Sequence, residues 1–253
     1  MSLSAFQAGL GHLVRAGEAD KWDSRALSTR ERRALRASAA SDGLRLTATI
    51  QRSWCRQRAA QAAPLTLSVL PIAERTVILD DWVARGGGTQ LFFAAETETI
   101  CDFIASCLPN PSHALTICRF EQATARVAAN AAAFVAPAIS SLADDGCRLR
   151  PGRGAALVPF FAEPSRVLGA LAALTGFPPC TAERHWVLFA PGINGLGDPV
   201  DEATAELWQR IATPASPTVG KLREAGFADA AIERFVLIGA AELGSEEWIE
   251  SNA

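Results

Sequence analysis

From Ser28 onward, apolar residues return with a helical rhythm broken by clear stop signals. Ser28 followed by Glu31 has the spacing of a capping box, which predicts a helix from there to about Ala40. Asp42 is placed to cap a second helix, which carries Leu46, Ile50 and Trp54 at four-residue steps along one face and stops before Pro64. A third is expected from Pro71 to Arg85, with Ile72, Leu79, Trp82 and Val83 on its buried side and Gly86-Gly87-Gly88 closing it. A fourth spans about 93 to 108 and ends at Pro109-Asn110-Pro111; Ser112 then caps a long fifth that ends at Pro137. Residues 1 to about 27 have no firm period and read as a loose or partner-dependent arm.

Beyond Pro137 the pattern changes. CRLRP, AALVPFF and HWVLFAP are short β-prone runs separated by the turn-rich PGRG, FPPC and PGINGLGDP, with PSRVLGALAALT between them as a short helix. From Asp201 the chain returns to helix in three pieces, DEATAELWQRIA, SPTVGKLREAG and FADAAIERFVLIGAAELG. Strands followed by three short helices predict a winged-helix-like module. The expected architecture is therefore α+β: an all-helical domain with an N-terminal arm over 1–138, then a winged-helix-like α/β domain over 139–253.

Composition narrows the function classes. With 253 residues, 26.8 kDa and 49% hydrophobic residues, the chain has enough apolar surface for a proper core. A net charge of -3 and a pI near 5.7 give no electrostatic reason to expect nucleic acid or an anionic membrane as a partner. The N-terminus lacks a basic stretch followed by an apolar one, and no run approaches the length of a membrane span, so a cytoplasmic chain is expected. In that compartment the six cysteines read as free thiols.

Three of those thiols fall in CDFIASCLPNPSHALTIC, spaced Cys101-x5-Cys107-x5-His113-x4-Cys118. Structural zinc sites use ligand pairs two to four residues apart, which none of these gaps matches. Cys101 and Cys107 on one helix diverge by roughly 120° around its axis, so they read as core thiols, and no metal ligand is assigned. The three histidines have no nucleophile nearby in sequence, and neither G-x-S-x-G nor H-E-x-x-H occurs. ARGGGTQ and PGRGAA lack the Lys-Ser/Thr of a phosphate loop and read as a helix stop and a β-turn. No catalytic residue is assigned. The arginines at 30, 32, 33, 36, 52, 56 and 58 read either as a solvated surface or as a face for phosphates or an acidic partner, and the negative overall charge favours the first.

Two stretches together resemble a known family. CRFEQA on an amphipathic helix, preceded by FIASCL and followed by RLRPGRGAALVPFFAEPSRVLGAL and HWVLFAP, is similar to the helical partner subunits of TIM-barrel multinuclear iron enzymes. Those pairs modify ribosomally made peptides, as in methanobactin and thiaglutamate biosynthesis. The region from His185 to Gly244 is similar in rhythm to the winged-helix peptide-recognition elements of such pathways. The resemblance covers roughly residues 45 to 244 and places no family metal ligand or catalytic residue on this chain. It implies a non-catalytic subunit of a heterodimer, without a cofactor of its own, whose partner carries the iron. Its task would be to hold a precursor's leader peptide and present a cysteine for oxidation.

A winged helix with an open sheet edge beside its third helix accepts an extended peptide as an added strand. On this chain that helix is expected at about 228 to 241, with Arg234, Phe235 and Ile238 as the peptide-binding residues. The plain alternative is that Phe235 and Ile238 form the helix's buried face. Arg119 and Glu121 are candidates for a partner interface, against an ordinary surface role. The competing function is a winged-helix DNA-binding regulator, which the scarcity of Arg, Lys, Asn and Gln in FADAAIERFVLIGAAELG disfavours. A thiol- or metal-handling protein is a third.

Overall fold

The structure is a computed structural model, which describes residues 3–16, 27–90, 93–137 and 142–244. The chain divides into two compact units, 1–107 and 108–253. The first is helical: α1 (Leu3–Ala16), α2 (Thr29–Ala39), α3 (Asp42–Ala62), α4 (Pro64–Val69), α5 (Ile72–Ala84) and α6 (Phe93–Cys107). The capping box at the start of α2 is complete. Ser28 Oγ accepts from the Glu31 amide at 3.3 Å and the Ser28 amide donates to Glu31 Oε2 at 2.8 Å. The Ser28 hydroxyl, which donates to Glu31 Oε2 at 2.7 Å, and then the Ser28 amide hold the Glu31 carboxyl below the usual carboxylate range. At α3 the cap is Ser41, whose hydroxyl accepts from Leu44 N, while Asp42 sits in the first turn and pairs with Arg45. Part of the expected arm is helix: α1 packs on α2, α3 and α5, and Leu13 is buried in a cluster with Leu27 and Leu35. Residues 17–26 of that arm lie outside the described residues.

The apolar row expected along one face of α3 is exposed, and one residue expected on the buried side of α5 is too. In α3 the buried side chains are Ala48, Cys55, Ala59 and Ala62, while Leu46, Ile50 and Trp54 are 62%, 61% and 48% exposed. Small residues let α3 lie close against α1, α5 and α6. The four-residue step identified a face but not its direction. In α5, Leu79, Trp82 and Val83 are buried as expected, yet Ile72 is 78% exposed.

A buried carboxylate fastens the loop after α5. Glu96 of α6 is fully buried; its Oε1 accepts from Gly88 N at 2.9 Å, and its Oε2 accepts from Gln90 N and from Arg58 Nε, each at 3.2 Å. Gly88 has φ +79° and lies so close to Cys55 that an added Cβ would stand 2.7 Å from the cysteine's own. Burial pushes the Cys55 thiol up, so it stays protonated at neutral pH.

The second unit begins with α7 (His113–Ala131), capped by Ser112, followed by β1 (Arg148–Pro151), β2 (Ala156–Phe160), α8 (Pro164–Ala173), β3 (His185–Phe189) and β4 (Asp198–Val200). It closes with α9 (Glu202–Ile211), α10 (Val219–Glu224), α11 (Asp229–Leu237) and β5 (Ala241–Gly244). The helix expected to run to Pro137 stops at Ala131, and the one expected over 228–241 stops at Leu237. β2, β3 and β4 form an antiparallel sheet in that order, with Val158 opposite Val187 and Val187 opposite Pro199. α7 packs on β2 and β3, where Phe120 meets Phe160 and Phe189 edge-on at centroid distances of 6.3 and 5.6 Å. The division between units therefore falls before α7, some way ahead of the change in sequence pattern near 138.

β1 pairs antiparallel with β5, and its other side meets Pro217-Thr218, where Leu149 N donates to Pro217 O at 2.9 Å. The three last helices close over Leu149, Leu188, Leu207, Ile211, Leu222, Ile232 and Phe235. Cys101 and Cys118 are fully buried and Cys107 is exposed. Among the described residues no helix is long and apolar enough to cross a membrane.

Replacing Glu96 by Ala leaves Arg58 and two loop amides without their acceptor. Urea denaturation should read a loss of about 3–5 kcal/mol, whereas Asp80→Ala, which breaks the exposed Arg56 pair, should cost less than about 1 kcal/mol.

Candidate functional site

The site is built at the turn from α11 into β5. Helix α11 ends at Leu237, and Gly239 takes φ +72°, which reverses the chain. Three other segments crowd this turn. Gly192 N donates to Ile238 O at 2.9 Å and Gly152 N donates to Ala240 O at 2.8 Å. An added Cβ would meet Gly239 O at 2.0 Å from Gly152, Ile238 Cα at 2.8 Å from Gly192, and the Phe134 ring at 2.5 Å from Gly239. Only glycine fits at these places.

The turn sets which groups of β5 point outward. Ala240 and Gly152 form a hydrogen-bonded pair, so alternation along the ladder makes Arg150 with Glu242 and Arg148 with Gly244 the next bonded pairs. Leu149 N confirms that phase, since it points away from β5 towards Pro217. The N–H and C=O groups of Ala241 and Leu243 therefore face away from β1. Among the described residues none offers them a backbone partner. Ala241 is 1% exposed, so its outward groups are covered, whereas Leu243 is half-buried.

A cleft of about 350 Å³ adjoins β5. Its walls include Asn130 and Phe134 from the end of α7 and the segment after it, Pro191, Arg153 from the turn after β1, and Glu242 and Leu243 of β5. Val236 also lines it. The charges are distributed unevenly. Glu242 Oε2 accepts from Arg150 Nη2 at 2.9 Å, and its Oε1 accepts from the Arg153 amide at 2.7 Å. The Arg153 side chain is exposed, and its guanidinium has no hydrogen-bond or ion-pair partner among the described residues. Asn130 Nδ2 donates to Arg126 O at 2.8 Å, which anchors the amide at the cleft wall.

The residues expected from sequence to bind a peptide fall on several sides of α11. Arg234 is exposed and pairs with Asp198 of β4. Phe235 is 1% exposed and packs in the core, so it supports the helix and does not face a ligand. Ile238 is half-buried against the same core. Val236, between them, borders the cleft but is fully buried in the same core. Of the expected partner-facing pair, Arg119 is half-buried and donates to Gln122 Oε1 at 2.7 Å, and Glu121 is only 7% exposed. Glu121 belongs to the interior of the fold, because α7 lays that side of its helix on the strands. The sequence signal for the cleft was the glycines of PGRG and LIGAAELG, which mark where backbones touch.

His113 Nε2 bonds Pro178 O at 2.7 Å and its ring stacks on Phe177, so that side chain is tied into the fold of its own unit. Among the described residues no three His, Cys, Asp or Glu side chains gather as a metal-binding group. No family model and no curated protein matches the chain.

A methyl group at Gly152 must push β1 away from the turn. Gly152→Ala should lower the thermal midpoint and speed hydrogen exchange of the Glu242 and Gly244 amides, read by deuterium exchange with mass spectrometry.

Proposed function

We propose that this chain is a non-catalytic, peptide-binding subunit that holds a ribosomally made precursor by its leader segment and presents its cysteine to an iron-dependent oxidative enzyme. The observation that supports the peptide-binding half is the outward amide and carbonyl of half-buried Leu243 on β5, beside a cleft walled by Phe134 and Arg153. An extended peptide satisfies those groups as an added strand, its main chain giving affinity and the cleft giving choice. The enzyme class comes from the resemblance of the CRFEQA and RLRPGRG regions to partner subunits of TIM-barrel multinuclear iron enzymes.

We read α9, α10 and α11 with Pro217-Thr218, β5 and β1 as a winged-helix module. Thr218 stands for the strand between the first two helices and β5 for the strand after the third. The strand between them in the sheet is β1, which comes from upstream of the first helix. A peptide on β5 would extend this sheet on the side away from β1. A second support is the row of Leu46, Ile50 and Trp54 on α3, apolar side chains of the kind a partner protein covers. The regulator reading gains nothing: α11 carries one cation, Arg234, against Asp229 and Glu233, and that cation is paired.

Leu243→Pro removes an outward donor that takes no part in the β1 ladder, so the fold should survive. Recovery of tagged chain from the lysate of its own organism should yield an iron-containing barrel protein in equal amount. Precursor peptide should accompany the native chain and be missing from the Leu243→Pro chain. Elution of the native chain alone and without iron would remove the partner-subunit reading.

A further inference from the structure

We infer that the exposed face of α3 docks an acidic amphipathic helix of a partner protein: Leu46, Ile50 and Trp54 receive its apolar stripe, and Arg52 receives a glutamate or aspartate beside that stripe. This rests on the reading above that the chain works with a partner, and it names the surface and the chemistry that the partner must bring.

The face is out of keeping with a helix side meant for water. Leu46, Ile50 and Trp54 are 62%, 61% and 48% exposed, and at about 100° per residue they share an arc of roughly 80°. Thr47, Ser53 and Gln57 fall on the same side, are exposed and carry no charge. From Leu46 to Gln57 this side of α3 therefore offers water no ionised group, although the helix holds four arginines. Its largest member is also held in place. The Arg58 guanidinium lies over the Trp54 ring, 5.4 Å from the centroid, and Arg58 Nε donates to fully buried Glu96 at 3.2 Å. An aromatic side chain fixed before binding loses little freedom in a contact, which suits it to anchor an interface. A ridge of four-residue steps fits the groove of another helix.

The margin of the face sets the charge of the occupant. Arg45, Arg52 and Arg56 lie within roughly 40° of one another along one side of the stripe. Arg45 pairs with Asp42, and Arg56 with Asp80. Arg52 differs: it is half-buried, its Nε is closed off from water, and it has no hydrogen-bond or ion-pair partner among the described residues. Part of its hydration is already gone, so an acceptor brought by a partner gains more there than at an arginine in open water. Beside it a hollow of about 300 Å³, walled by Leu13, Ala48 and Thr49 among others, leaves room for a carboxylate side chain. A second copy of the chain does not meet this need. Packed antiparallel about a two-fold axis, two α3 helices set the same arginine margin side by side; packed parallel, each sets it against the margin of Thr47 and Arg58. Neither arrangement brings a free acid to Arg52, since Asp42 and Asp80 are already paired.

The test is selection of a displayed library of helix-forming peptides against the full chain. Enriched sequences should carry apolar residues three or four apart with an acidic residue on one flank. A synthetic peptide of that pattern should bind, weaken about thirtyfold on Trp54→Ala and about tenfold on Arg52→Gln, weaken more on Arg52→Glu, and recover on Arg52→Glu when its own acid is changed to lysine. Arg52 makes no bond among the described residues, and Arg58 keeps Glu96 without the indole, so thermal midpoints should stay close to that of the native chain. The iron-containing barrel protein recovered with the native chain should be missing from the Ile50→Asp chain. No enrichment, enrichment without an acidic position, or equal recovery of the barrel protein by Ile50→Asp overturns this inference and leaves the partner-subunit reading standing. A native dimer that Ile50→Asp makes monomeric overturns it as well, by placing a second copy on this face. Elution of the native chain alone overturns the partner-subunit reading itself.

Discussion

The second unit depends on the close contact of backbones at Ile238-Gly239-Ala240. Gly152 and Gly192 approach this turn from two sides and bond its carbonyls, and Phe134 lies over Gly239. Backbone groups in such a place have no water to turn to, so both bonds are obligatory. Their consequence is the register of β5. A slip by one residue would turn Glu242 into the core in place of Leu243 and separate it from Arg150. The same contact that fixes the register turns the backbone groups of Ala241 and Leu243 away from β1, those of Ala241 into the interior and those of Leu243 to a half-buried position.

The helical first unit is held in a different way. There a buried carboxylate, Glu96, gathers two loop amides and Arg58 at one point. Arg58 keeps 17% of its side chain exposed, and Glu96 none. Taking that charge out of water is expensive, and the three donors offset the cost only together. Around them small side chains do most of the packing on α3, which frees its large apolar residues for the surface. Residues 28–58 contain eight arginines against the two acids Glu31 and Asp42, and three of them, Arg45, Arg56 and Arg58, are paired with Asp42, Asp80 and Glu96.

Much of this architecture was legible in the sequence, and the failures have physical causes. The capping box at Ser28, the cap at Ser112 and the three β runs after Pro137 all depend on local chemistry, and the structure has them where local chemistry puts them. The direction of α3 does not depend on local chemistry, because Ala48, Ala59 and Ala62 form an apolar face as regular as Leu46, Ile50 and Trp54. β5 was hidden inside a helical pattern: AELG has no β-branched residue, and only Gly239 interrupts the apolar run before it. The strand exists through its pairing with β1, some ninety positions upstream. Of the residues expected on α11 for peptide binding, Arg234 pairs with Asp198 and Phe235 packs in the core, placements that local chemistry does not specify.

An edge strand alone is a hazard, since it pairs with any extended chain. What turns such an edge into a recognition site is the difference between its backbone and its surroundings. Beside half-buried Leu243 of β5 the cleft sets the Phe134 ring and the exposed Arg153 side chain, so an apolar and a cationic group stand together there. Glu242 contributes by being occupied. Its carboxylate, bound by Arg150 and by the Arg153 amide, ties β1 and the turn after it to β5.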